Sequence, residues 1–367
     1  MINVSIRTDL YYVGNIYDLD RLIRILRETH GRRLQGYKYY GGKVTWGEIN
    51  GISDLPLSVE DYVEPGLYRL REGYRFRHIS VSPKLFLLPS KQIYIVESND
   101  FSQAKVLDYN VSIQYVLFGI KPCDLNAINV LDRMIGEKNP VYAHRRRSIS
   151  AIIVEECLEP NNNCFCGVMN SGPFVEKDFD IAYARLDDKR VIFKYGSSFG
   201  RDVLSKMELR IAGEKEVYEY LEKTKLARER TSAVFKKSMK EIQESLMNKA
   251  RDKELWLKIS ENCIGCGNCN FVCPTCFCLE FDYSINGEDQ GVKIANWTGC
   301  LLYSYGQVAG GHFRPELYTR YRHFILHKFV FYPRRIERLG CFGCGRCITW
   351  CPMSIDLCEC VNNAISG

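Results

Sequence analysis

The stretch Cys263-Ile-Gly-Cys266-Gly-Asn-Cys269-Asn-Phe-Val-Cys273-Pro274 recurs, with 67 residues between Cys273 and Cys341, as Cys341-Phe-Gly-Cys344-Gly-Arg-Cys347-Ile-Thr-Trp-Cys351-Pro352. Both runs read C-x2-C-x2-C-x3-C-P. Three thiolates at successive two-residue gaps wrap three corners of a cubane cluster, and the glycines between them let the backbone bend tightly and aim N–H groups at sulfur. The proline behind the fourth cysteine redirects the chain. Zinc modules set four ligands as two separated C-x2-C pairs, which leaves the third cysteine and the repeated C-P ending unexplained.

In two-cluster iron–sulfur domains the fourth cysteine of each run ligates the other cluster. The expected sets are therefore Cys263, Cys266, Cys269 and Cys351 for one 4Fe-4S cluster, and Cys341, Cys344, Cys347 and Cys273 for another. The chain has 367 residues, 17 cysteines, 50 Lys plus Arg against 44 Asp plus Glu, and 46% hydrophobic residues. That is a globular composition for two or three domains. The net charge of +6 is modest and spread out, so it makes no case for nucleic acid or a membrane surface. A 4Fe-4S core with four thiolates contributes about −2, which brings the chain near +2 with two clusters and near neutral with three.

The first residues, MINVSIRTDLYYVGNIYDLD, lack the basic start and apolar core of a secretion signal. Apolar runs such as 116–120 and 151–154 fall far short of the ~18 residues of a membrane helix. A cytoplasmic protein whose grouped thiols hold metal is the expectation.

Residues 1–250 read as an α/β scaffold domain ending in a charged helical linker. Residues 251–367 read as a two-cluster, ferredoxin-like domain with a long helical insertion, so the fold class is α+β. Residues 18–30 place Leu19, Leu22, Ile23 and Leu26 on one helical face. Residues 92–97, 113–120, 150–155, 180–186 and 191–195 are short, β-branched or aromatic runs bounded by turn residues. Residues 124–135 between two of them predict a helix with Asp124 as its N-cap. Residues 214–258, with Phe235, Met239, Ile242 and Leu246 at helical spacing, predict one or two solvated helices with one face on a neighbouring domain.

Further segments carry a resemblance. The run from Cys263 through Cys273-Pro-Thr-Cys276-Phe-Cys278, the Trp297-Thr-Gly-Cys300 and Gly310-Gly-His-Phe-Arg-Pro315 segments, and the His327-Lys-Phe helix before the second motif are similar to the iron–sulfur β subunit of archaeal soluble nickel–iron sulfhydrogenases and to the A subunit of anaerobic sulfite reductases. Upstream, Pro65-Gly-Leu-Tyr-Arg-Leu, Ser82-Pro-Lys-Leu-Phe-Leu-Leu-Pro89, Gly119-Ile-Lys-Pro-Cys-Asp-Leu, Cys157-x6-Cys164-Phe-Cys166 and Ser171-Gly-Pro extend the resemblance over most of the chain. It implies an electron-transfer subunit in a hetero-oligomer, bridging a flavin/2Fe-2S subunit that handles NAD(P)H to a hydrogenase or sulfite reductase partner. The ending Cys358-Glu-Cys360 departs from the pattern.

Cys123 follows one predicted strand, and Cys157, Cys164 and Cys166 follow another. If those strands are neighbours, all four thiols reach one sheet edge and suffice for a third 4Fe-4S cluster, with Asp124 as a substitute ligand; buried cysteines without metal are the alternative. Five thiols remain. Cys276 and Cys278 are expected to pack in the shell of the first or second cluster, a site built from them with Cys300 lacks a clear fourth partner, and Cys358 and Cys360 stay unassigned. His323 and His327, four apart without a third ligand, read as a packed or surface pair. Arg314, Arg320, Arg322, Lys328, Arg334, Arg335 and Arg338 form either a solvated face or a counter-charge that docks an acidic partner. Asn268, Arg346 and Trp350 beside the ligands are expected to tune electron flow.

The chain has no G-x-x-x-x-G-K-S/T loop and no dinucleotide-type G-x-G-x-x-G after a strand. A non-catalytic electron conduit is the favoured reading over a stand-alone iron–sulfur oxidoreductase.

Overall fold

Near-continuous apolar runs in the central strands build a sheet that is buried on both faces. The computed structural model describes residues 10–29, 31–97, 104–106, 113–286 and 290–366. Its main strands are β1 (Tyr11–Asn15), β2 (Arg33–Tyr40), β3 (Lys43–Ile49), β4 (Val59–Glu64), β5 (Leu67–Glu72), β6 (Lys91–Glu97), β7 (Ala104–Val106), β8 (Tyr115–Ile120), β9 (Ile149–Glu155), β10 (Ile181–Arg185), β11 (Arg190–Tyr195), β12 (Arg210–Ile211), β13 (Leu279–Asn286) and β14 (Gln290–Trp297).

The large sheet runs β12-β1-β11-β10-β9-β8-β2-β3. Its centre, β2-β8-β9-β10, is parallel, and its flanks are antiparallel. On one face Leu117, Ile152, Val154 and Ala182 meet the helix Pro122–Met134. On the other, Val116, Phe118, Ile153 and Tyr183 meet Leu19, Leu22 and Ile23 of the helix Asp18–Arg24. Strands covered on both faces tolerate this near-continuous apolar composition, and each fully buried side chain contributes about 1.5–3 kcal/mol.

The core on the Pro122–Met134 face also contains Phe342 and Cys344 of the second cysteine motif. That motif therefore sits directly on the helical layer of the sheet. A second core surrounds both motifs, built from Ile242 and Leu246 of the helix Met239–Asn248, Trp256, Tyr321, Phe324, Phe329 and the C-terminal helix Leu357–Ser366.

The expected strands all form, within a residue or two of their predicted bounds. The helix predicted from Asp124 begins two residues earlier, at Pro122, with Lys121 as its N-cap. Proline at the first helical position has φ preset and no N–H to lose, so the helix starts there, and Asp124 becomes the residue whose carboxylate accepts from the Lys121 N–H. The predicted 18–30 helix runs regularly to Arg24 and continues as a wider turn over Ile25–Thr29, while His30 lies outside the described residues. Three helices, Glu214–Arg230, Met239–Asn248 and Lys253–Ile259, occupy the charged region.

The insertion between the motifs contains the helix Leu317–Leu326 and its continuation to Ile336, and it opens with a hairpin that periodicity did not reveal. There β14 pairs with β13 and, on its other edge, with β6, with Ile294 opposite Ile93, in a sheet ordered β13-β14-β6-β7. Among the described residues no helix is long and apolar enough to cross a membrane.

Candidate metal centres

The two motifs adopt the same local course. Gly265 and Gly267 have φ of +68° and +73°, Gly343 and Gly345 have +62° and +75°, and each second glycine opens a short helix, Asn268–Val272 or Arg346–Thr349. In the second motif glycine is needed twice over. A Cβ at Gly343 would lie 2.4 Å from the Phe165 carbonyl carbon, and one at Gly345 would lie 2.5 Å from the Asn163 carbonyl oxygen. At that close approach the Phe165 N–H donates to Gly343 O at 2.7 Å, and the Ser171 hydroxyl donates to Phe342 O at 2.7 Å.

One cleft is lined by Cys263, Cys266, Cys269 and Cys351 with Ile264, Leu301, Tyr321, Phe324 and Met353. A second is lined by Cys273, Cys341, Cys344 and Cys347 with Phe165, Phe324, Lys328 and Leu357. The last cysteine of each motif thus lines the cleft of the other, and Cys347 borders both. Cys266 is exposed, whereas Cys341 and Cys344 are buried.

The donor chemistry fits a cationic iron–sulfur core. Burial pushes the thiols of Cys269 and Cys347 well above the ordinary value and that of Cys341 up to about 12. Thiolates in such a cavity need a bound cation to carry the charge. Backbone N–H groups already point at sulfur, that of Gly265 at Cys263 Sγ (3.4 Å) and that of Gly343 at Cys341. Cys273 differs: a hydrogen bond from Cys276, with the Lys328 ammonium and the Thr275 hydroxyl, holds its thiol well below the ordinary value.

The N-terminal cysteines come together because β8 and β9 are parallel neighbours, with Ile120 opposite Val154. Cys123 lies in the first turn of the helix after β8, and Cys157 lies just beyond β9. Cys164 and Cys166 are within electrostatic range of Cys157, and Cys123 is within range of Cys166; Cys123, Cys164 and Cys166 also sense Cys344 of the second motif. Cys164 Sγ is 3.8 Å from Cys344 O and 4.0 Å from His78 Nε2. Burial pushes Cys157 up to about 11 and Cys166 up to about 12.

Asp124 is taken up elsewhere. Arg346 and Asp124 form an ion pair at 2.8 Å with both side chains fully buried, and the Tyr37 hydroxyl donates to Asp124 Oδ2 at 2.6 Å. Of the basic set, Arg320 is buried and donates to the carbonyls of Leu301, Arg314 and Pro315, and Lys328 is buried against Cys276 and Thr275; Arg334, Arg335 and Arg338 are exposed. The set is therefore not one face. The rings of His323 and His327 stack at 5.2 Å. Tyr321 donates to Cys360 Sγ at 3.3 Å, and Cys358 and Cys360 belong to the helical core.

Sequence reading missed Tyr37, His78, Lys84 and Asn270, all buried beside the thiols. Only the unusual placement of Lys84 in an apolar run, Leu85-Phe-Leu-Leu88, signalled one of them. A further run, Gly196-Ser-Ser198-Phe-Gly200 after β11, has the letters of a nucleophile elbow. Ser198 is not among the positive-φ residues, and Ser197 caps the helix Ser198–Ser205 by accepting from Gly200 N–H, so the strained turn of that motif is absent there.

A family model described as "4Fe-4S dicluster domain" matches residues 262–355. Sulfhydrogenase 2 subunit beta of Pyrococcus furiosus is 30% identical over 326 residues, spanning 88% of this chain and 90% of that protein. With the paired motifs crossing between two clefts and the similarity running through the sheet domain as well, the chain belongs to the sulfhydrogenase β-subunit family of iron–sulfur proteins.

Proposed function

We propose that this chain is the non-catalytic electron-transfer subunit of a cytoplasmic oxidoreductase complex, relaying electrons between a flavin/2Fe-2S subunit that handles NAD(P)H and a nickel–iron hydrogenase subunit. Residues 251–367 act as the dicluster unit and residues 1–250 as its scaffold. Cys263, Cys266, Cys269 and Cys351 hold one 4Fe-4S cluster, and Cys341, Cys344, Cys347 and Cys273 hold the other. The observation that carries this reading is the exchange of Cys351 and Cys273 between the two clefts, with Cys347 bordering both.

A bound 4Fe-4S cluster supplies one-electron chemistry at a potential set by hydrogen bonds to sulfur, local charge and solvent exposure. The chain's residues provide those settings. Cys266 opens the first site to the surface beside the exposed Ile264 and Met353, which suits exchange with a docked redox partner. The buried second site has the Lys328 ammonium beside Cys273 and the Arg346 guanidinium beside Cys344. Cys123, Cys157, Cys164 and Cys166 are proposed as ligands of a third 4Fe-4S cluster, and their approach to Cys344 extends the relay into the sheet domain.

Cys344→Ser tests the reading. It is expected to remove or convert the second cluster and block electron transfer through the complex, while the catalytic partner stays active with an artificial carrier; intact physiological transfer overturns the assignment. Iron loss in Cys164→Ser, about 4 Fe per chain, tests the third cluster. Anaerobic co-purification identifies the partner: stoichiometric nickel supports the hydrogenase, and siroheme would indicate the alternative, a sulfite reductase.

A further inference from the structure

Two surface clefts open between the helix Pro122–Met134, the loop after Cys166 and the chain leading into the second motif. One, of about 470 Å³, and the other, of about 250 Å³, share Asn126, Asn129, Lys177, Asp178 and Arg338 in their walls, so they form one depression. Its floor lies against both sets of buried thiols. Phe342 lines the larger cleft on one side and the cavity of Cys273, Cys341, Cys344 and Cys347 on the other. Gly172 lines the smaller one, and a Cβ placed on it would lie 3.2 Å from Cys166 Sγ. The Ser171 hydroxyl, donating to Phe342 O at 2.7 Å, ties the two parts of this floor together.

The rim is cationic. Arg133, Arg146, Lys177, Arg228 and Arg338 line it, against Asp132, Glu176 and Asp178. Asp132 is taken up by Arg146 at 3.1 Å. That leaves Arg133, Lys177, Arg228 and Arg338 with two carboxylates, all six exposed, and among the described residues none of the four cations forms an ion pair. Counter-charge for the second site is supplied from inside, by Lys328 beside Cys273 and Arg346 beside Cys344, so the rim cations are left to face outward. An excess of positive charge over a concave surface attracts an acidic one and steers its approach.

A relay needs two ends. Cys266 is exposed at the first site, Cys341 and Cys344 of the second are buried, and at Phe342 the second site comes within one residue of the surface. We infer that this depression docks an acidic face of a redox-partner chain of the complex. A single electron passes across Phe342 between the partner's flavin or iron–sulfur centre and the second site, one centre being oxidised as the other is reduced, with no bond made or broken. The inference rests on the relay reading and adds to it the surface used and the charge of the partner.

The test uses the native complex, purified anaerobically and treated with a zero-length carbodiimide, which condenses a lysine amine with a carboxyl group to an amide with loss of water. Peptide mass spectrometry is expected to find Lys177 joined to an Asp or Glu of a different subunit at low salt, and far less of that product at about 1 M salt, where the Debye length is about 3 Å. Lys177 joined only within its own chain, joined to a second copy of that chain, or left unjoined overturns the inference. Lys177→Glu/Arg338→Glu, with iron content unchanged, is expected to lower the affinity for the salt-dissociated partner chain about tenfold, whereas Lys43→Glu/Lys215→Glu, the same charge change on exposed residues elsewhere, is not. Equal affinities in the two variants also overturn it. Cys344→Ser, measured in parallel, separates the two readings: normal transfer there sinks the relay, while blocked transfer with no Lys177 product sinks the docking site alone.

Discussion

Arg346 lies between Gly345 and Cys347, yet its guanidinium reaches out of the second motif into the sheet domain. Nη1 is 2.8 Å from Asp124 Oδ1, Nη2 donates to the Tyr37 hydroxyl at 2.7 Å, and Nε donates to Ile79 O at 2.9 Å. Arg346 and Asp124 side chains are both 0% exposed. Arg346→Met keeps the volume but strands a buried carboxylate, which costs about 3–5 kcal/mol. At roughly 2 °C per kcal/mol for a large chain, the thermal midpoint should fall by about 6–10 °C. Adding Asp124→Leu removes the stranded charge and should recover most of that loss, leaving the Tyr37 hydroxyl unpaired at about 1–3 kcal/mol. Adding Tyr37→Phe should recover that as well. The assay is anaerobic scanning calorimetry at one fixed scan rate, because unfolding with cluster loss is irreversible, with iron content measured on each sample. Arg334→Met, at an exposed position, is the control. The reasoning is refuted if Arg346→Met shifts the midpoint no more than that control, or if the triple variant is no more stable than the single one.

Gly343→Ala combines a strained φ, worth about 1–2 kcal/mol alone, with a collision against the Phe165 backbone. It should displace the loop carrying Cys164 and Cys166 and lower iron content, whereas Gly310→Ala, in open space, should not. Burial, reinforced by Arg314 and Arg322, holds His323 at about 4, and burial with Lys328 holds His327 at about 3. Both folded values lie below the ordinary imidazole value, so the unfolded chain binds these protons first. Their contribution to stability is complete above about pH 6.5 and is lost as pH falls toward 4. His323→Gln/His327→Gln should therefore flatten the fall of the thermal midpoint between pH 7 and pH 4.5 relative to the unaltered protein; an unchanged slope counts against it.

The β-branched runs at 150–155 and 191–195 were legible as strands because a strand covered on both faces needs continuous apolar residues, and that signature is local. The hairpin of β2 and β3 was less so, since Gln35, Lys38 and Thr45 interrupt its apolar pattern, and β3 lies at the edge of the sheet. The pairing of β14 with β6 joins segments nearly 200 residues apart in sequence, and no spacing rule reaches across that separation.

The repeated C-x2-C-x2-C-x3-C-P is enough to specify the chemistry, because cluster ligation is set by a handful of cysteines and glycines at short range. What surrounds those ligands follows from the three-dimensional packing alone. Lys328 and Arg320 read as members of one basic set, either a solvated face or a counter-charge, and the fold separates them, burying one against Cys276 and the other under three carbonyls. Asp124 read as a spare ligand and is instead the partner of Arg346. Whether a charge faces water, a carbonyl or a thiolate depends on which distant segments fold over it, and a buried charge must find its partner wherever the fold places one.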